Sequence, residues 1–144
     1  MGKICCFAGH EDIGNVDELY NKVSECVEEL IIREGIKDFL IGDFGDFDEI
    51  SKKAVLDVKI KFPDISLRLV TPYSSKIQCM GEYEEILTVD IPKNAPTKFS
   101  YIKCNEYMID RSDYMICYIW EKWRGVAKTL EYAKEKNIKI YNLA

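Results

Sequence analysis

The chain is an alternation of short apolar runs and longer amphipathic segments. The runs fall at 4–8, 38–42, 65–73, 86–91, 114–120 and 138–143, and most of the segments between them repeat apolar residues at helical spacing. Strand, helix and next strand in that order join through crossover connections, which lay the strands parallel and place helices on both faces of the sheet. The pattern predicts an α/β chain: a single Rossmann-like domain over 1–144 with a mainly parallel central sheet of about five to seven strands. The run 114–120 is apolar throughout and is expected at the centre of that sheet.

Local signals mark where the helices begin and end. Leu19, Val23, Cys26, Val27, Leu30 and Ile31 share one helical face, Asn15 and Glu18 are spaced as a capping pair, and Gly35 stands where the helix would stop. Asp46 followed by Glu49 opens a second helix, with Phe47, Ile50, Ala54 and Val58 facing inward and Pro63 ending it. Two more helices are predicted over 101–113 and 126–136. The stretch 74–100 contains Pro92 and Pro96 and only one strand-like run. It reads as a long irregular excursion in which Glu82, Glu84, Glu85 and Asp90 form a solvated acidic loop.

Composition narrows the function classes. With 47% hydrophobic and 31% charged residues the chain is globular, and it lacks an apolar run long enough to span a membrane. Its net charge of -5, with both signs interleaved, disfavours generic binding to a phosphate backbone, so no nucleic-acid partner is expected. A small anion held by backbone amides and one or two cations remains compatible. The six cysteines show no C-x-x-C spacing and no signal peptide precedes them, so they read as buried thiols in a reducing cytoplasm, with no metal and no cofactor. Adjacent Cys5 and Cys6 should point to opposite faces of a strand.

In open α/β sheets, ligands bind beyond the carboxyl ends of the strands. The segments expected there are 9–14, 42–47, 71–73 and 120–125. Gly9 would allow a close backbone approach, and His10 would either reach a ligand or close a turn. Gly42, Gly45 and Asp46 would form a ligand-facing loop that leads into a helix N-terminus, or an ordinary tight turn. Asn105 reads as a cap or a ligand hydrogen-bonder. Arg124 and Gly125 would meet an anion at the start of the last helix. Tyr73, Trp120 and Trp123 offer faces on which a base could stack, or complete a core or a dimer contact.

The segments "CCFAGH", "FLIGDFGDFDEIS" (39–51), "NEYMIDRSDYMICYI" (105–119) and "RGVAKTLEYAKEKNIKIYNL" (124–143) resemble the small YpsA-like proteins of the SLOG superfamily in order and spacing. The resemblance covers nearly the whole chain except 74–100. It implies a Rossmann-like, bacterial protein that self-associates, a homodimer being the expected form. It also implies binding of a nucleotide or nucleotide-derived small molecule for sensing or sequestration. The related LOG enzymes cleave the base from nucleoside monophosphates, so an N-glycosidase is the alternative, and an interaction module with a vestigial site is a third. Where relatives carry Gly-His-Arg, this chain has Gly9-His10-Glu11. Where LOG enzymes carry a catalytic glutamate it has Thr129, which favours binding over turnover.

Overall fold

Every strand pairs in parallel with its neighbours, as crossover connections require. The computed structural model describes residues 3–10, 13–72, 80–120 and 124–144, with the backbone alone at 80 and 124–126. In chain order the elements are β1 (Ile4–Gly9), α1 (Val16–Glu34), β2 (Asp38–Ile41), α2 (Asp46–Lys61) and β3 (Ser66–Thr71). After a 3-10 turn at Met80–Glu82 come β4 (Glu85–Thr88), α3 (Thr97–Arg111), β5 (Tyr114–Tyr118), α4 (Arg124–Glu135) and β6 (Lys139–Asn142). The six strands form one sheet in the order β4-β3-β2-β1-β5-β6.

Strand alternation divides the core into two layers. Cys5, Phe7, Phe39, Ile41 and Ile116 face α1 and α2, and Cys6, Leu40, Met115 and Cys117 face Cys104, Met108 and Ile109 of α3 and Ala133 of α4. Cys5 and Cys6 therefore part to opposite faces, as their adjacency predicts. Burial pushes the thiols of Cys6, Cys104 and Cys117 up to about 12, so all three stay protonated and packed. Cys79 lies outside the described residues. No helix among the described residues is long and apolar enough to cross a membrane.

β5 is interior but not central. It lies between β1 and β6, and β1 and β2 hold the middle of the sheet. Its apolar sequence reflects helices on both faces and a paired strand on either side, conditions that a next-to-edge strand also meets.

Three further readings of the sequence are corrected by the structure. α3 starts at Thr97, with Pro96 at the N-cap, so 97–100 are helical and not part of an excursion; of those four residues only Ser100 is buried, which hides the period. Asn15 occupies the α1 N-cap, but its Nδ2 donates to Glu18 Oε2 at 2.6 Å and its side chain caps no backbone amide. The acids of the 82–85 stretch are not a free loop. Glu82 pairs with Lys52 and Glu84 with Lys59, each at 2.7 Å, tying the segment before β4 to α2, and Glu85 meets Arg68 from the neighbouring strand at 3.5 Å. The Gly35 stop holds: it adopts φ 69° and its N–H donates back to α1.

Candidate functional site

Strands β1 to β4 wind outward on one side of β1, and the chain then crosses over to lay β5 and β6 on the other. The carboxyl ends of β1 and β5 therefore form the topological switch point, the place where open α/β sheets bind ligands. Gly9 and His10 leave β1 there, Ile119 and Trp120 leave β5, and Gly42 to Gly45 leave β2 alongside.

His10 ties the two exits together. Its backbone N–H donates to the Tyr118 carbonyl at 3.3 Å, and its Nε2 accepts the Trp120 backbone N–H at 2.9 Å. A neutral ring accepting at Nε2 carries its proton on Nδ1, which bonds to no described residue. Partial burial lowers the His10 pKa from its ordinary value, favouring that neutral form. The histidine thus closes the strand exits, but onto an amide donor and not onto carbonyls. Its carbonyl in turn accepts the Phe47 N–H at 3.3 Å, using one of the first amides of α2.

Gly9 is explained by packing. A Cβ at this position would lie 2.5 to 2.8 Å from the side chain of Phe47, which is fully buried. The Gly9 carbonyl accepts from Tyr101 Oη at 3.1 Å, drawing α3 over the β1 exit, and the Tyr101 ring meets Phe44 edge-on at 5.2 Å.

The loop after β2 is organised by two carboxylates. Gly45, with extended backbone, is the N-cap of α2, so Asp46 is the first helical residue and not its cap. Asp46 Oδ2 accepts the Ile13 N–H at 3.0 Å, anchoring the β1–α1 connection to the helix start. Asp48 is the residue that sequence reasoning missed. It is 8% exposed, its Oδ2 accepts the Phe44 N–H at 2.9 Å, and the same oxygen lies 3.2 Å from where a Cβ at Gly42 would stand. Burial pushes its carboxyl up to about 7; the Phe44 bond pulls it down, and the negative charges of Asp43 and Glu49 push it further up. A buried carboxyl in the first turn of α2, beside the β2 exit, makes this edge a candidate site. The available signal was Ser51: Asp48, Ser51 and Val55 form a second inward row on α2 beside Phe47, Ile50, Ala54 and Val58.

Asn105 is neither a cap nor at the crevice. It sits in the middle of α3, 3% exposed, and its Nδ2 donates to Thr129 Oγ1 of α4 at 3.1 Å. This is a buried polar contact between two helices. Arg124 and Gly125 open α4; the Arg124 side chain, like Glu11, Tyr73 and Trp123, lies outside the described residues. The structure thus brings Gly9, His10, Gly42, Gly45 and Asp46 to one edge and leaves Asn105 beneath it. Grooves of about 360, 290 and 320 Å³ also open beside β6, at the amino edge and outside α3, and none is lined by the residues of this edge.

No protein-family model matches the sequence, and no curated protein matches it. Solved structures share the fold. DNA processing protein A from Streptococcus pneumoniae superposes with TM-score 0.69 at 14% identity over 96% of this chain and 49% of its own. The Helicobacter pylori DNA processing protein A, described for its single-stranded DNA binding mode, gives 0.66 at 16% identity over 96% of this chain and 63% of its own. A molybdenum cofactor carrier protein from Chlamydomonas reinhardtii gives 0.61 at 13% identity over 97% and 75%. The chain therefore spans about half to two thirds of the two DNA processing proteins, and the likeness is one of fold.

The expectation that nucleic acid is excluded as a partner is overturned by this likeness, because the Helicobacter pylori protein, which shares this fold over part of its length, is described for single-stranded DNA binding. A net charge of -5 sums the whole surface, whereas contact with a strand depends on the field at one edge.

Proposed function

We propose that this chain is a SLOG-type binding protein that takes a nucleotide unit in the crevice beyond β1 and β5, as a sensor or sequestering protein. Within that superfamily the reading follows the resemblance of segments 39–51, 105–119 and 124–143 to the YpsA-like proteins. The observation that carries the reading is the switch point, where His10, Trp120 and the Gly42–Asp46 loop meet at one edge. The nucleotide unit comes either from a free mononucleotide or derivative, or from a single-stranded nucleic acid. The fold shared with a single-stranded DNA binder supports keeping the second source. Binding is favoured over base cleavage because Thr129, at the position of the LOG glutamate, is buried against Asn105 and carries no carboxylate.

Thermal shift tests the reading, since a ligand bound only by the native state raises stability by about 2.7 kcal/mol at a hundredfold excess over Kd. Nucleoside monophosphates, ADP-ribose, cyclic dinucleotides and a short single-stranded oligonucleotide form the panel, with inorganic phosphate as control. A shift with a nucleotide and none with phosphate is the expected result. A shift that only the oligonucleotide produces, and that falls steeply with salt, assigns the unit to a strand. No shift with any nucleotide or oligonucleotide at millimolar concentration contradicts the proposal.

A further inference from the structure

Five large apolar side chains are exposed among the described residues: Val16, Ile32, Ile60, Phe99 and Trp120. The first four project from helices. Trp120 alone leaves a strand end, and it does so at the switch point, with half of its surface (51%) open to solvent. An indole is costly to leave exposed, and its position is fixed by more than the strand behind it. Its backbone N–H is held by His10 Nε2, and the rings of His10 and Tyr118 lie 6.0 and 6.2 Å from it. Both rings stand steeply to the indole, at 86° and 70°, so neither stacks parallel on its face. Tyr118 is itself stacked on the buried Phe47 at 17°, which anchors this aromatic cluster in the core.

We propose that the indole face of Trp120 is the stacking platform for the nucleobase of the ligand, and that His10 is the positioning residue that holds the platform in place. This rests on the nucleotide reading above and adds to it a recognition element for the base. A π-face accepts any base, so the platform gives affinity without strong base selectivity. Selectivity comes from a donor beside it, the Nδ1–H of neutral His10, which faces no described acceptor. The reading predicts that the base, more than the sugar or the phosphate, is required for tight binding.

The sequence holds two tryptophans, so Trp123→Phe leaves Trp120 as the sole indole and its emission as the probe. In that background AMP, CMP and adenosine should quench the emission saturably, and ribose 5-phosphate should leave it unchanged. By calorimetry, Trp120→Ala in the full chain should weaken AMP about tenfold, within the range of base–aromatic stacking, and Trp120→Phe should recover most of the loss. His10→Ala should lower the preference for AMP over ribose 5-phosphate, a ratio that a general loss of stability would not move. If AMP raises the melting temperature yet neither the emission nor the Trp120→Ala affinity changes, the platform is refuted and the nucleotide site stands. If Trp120→Ala weakens AMP and ribose 5-phosphate equally, the residue shapes the crevice without stacking and the inference falls. If neither these probes nor a short single-stranded oligonucleotide changes either signal, the platform and the nucleotide reading fall together.

Discussion

The two ends of the sheet solve the same problem in opposite ways. At the amino edge, polar groups are matched to one another. Asp113 Oδ2 accepts the Ile4 N–H at 3.0 Å while the Asp113 N–H donates to the Ile4 carbonyl at 2.8 Å; Ser66 Oγ donates to Asp38 at 2.7 Å, and Glu34 collects both Lys3 and Tyr114 Oη. At the carboxyl edge, Asp48 is buried, held by one backbone amide and pushed up to about 7 by its burial and by the neighbouring acids Asp43 and Glu49. His10 is kept neutral, and an indole stands half in solvent. Matched groups stabilise a fold; groups held away from their ordinary titration, and apolar surface left open, lower its stability. The difference teaches where this chain gives up stability, and such places are where binding is expected.

The sharpest way to break the comparison is at Gly9. An added methyl would overlap the buried Phe47 ring, which has no room to move, so Gly9→Ala should cost about 3 kcal/mol in urea denaturation. Pairing it with Phe47→Leu should recover part of that loss, because the clash is with the ring. Full stability in the single variant would mean that the two exits are loosely packed and the crevice is not preformed.

The second effect has a sign set by linkage. The folded pKa of Asp48, about 7, lies above its unfolded value near 3.8, so the stability it contributes is fully present below 3.8 and is lost as pH rises through 7. Asparagine keeps an acceptor for the Phe44 N–H and does not titrate. Asp48→Asn should therefore gain on the wild type as pH rises, reaching about 4 kcal/mol at pH 8 and little at pH 4. Urea midpoints across that range would show it, and a pH-independent difference would remove Asp48 from the account.

A smaller effect is expected at the matched edge. Asp113→Ala leaves the Ile4 amide with water as its partner and should cost about 1 kcal/mol, without altering any ligand affinity. A change in ligand affinity from this substitution would blur the division between the edges.

Much of the fold was legible because buried strands and amphipathic helices write their period into the sequence. All six strand runs are strands, and the Gly35 stop stands where it was read. Strand order was not legible: nothing local to 114–120 distinguishes a central strand from a next-to-edge one when both faces are covered. Residue-level errors share one cause, since short polar residues serve caps, loops and buried contacts alike. Asp46 and Asn105 look like caps, and both are engaged in contacts with partners distant in sequence, Ile13 and Thr129. Asp48 was overlooked because an acid near a helix start is ordinarily solvated, and only its row with Ser51 and Val55 betrays its burial. Gly9 was read for a ligand, and Phe47 accounts for it.

The central claim, that ligand binds at the carboxyl edge and not at the matched one, is most directly tested by amide NMR during titration with AMP. The account predicts that the amides of Gly9, His10, Phe44, Phe47 and Trp120 shift together with one dissociation constant, while those of Ile4, Ser66 and Asp113 stay fixed. Shifts confined to the amino edge, or to the groove beside β6, would contradict it.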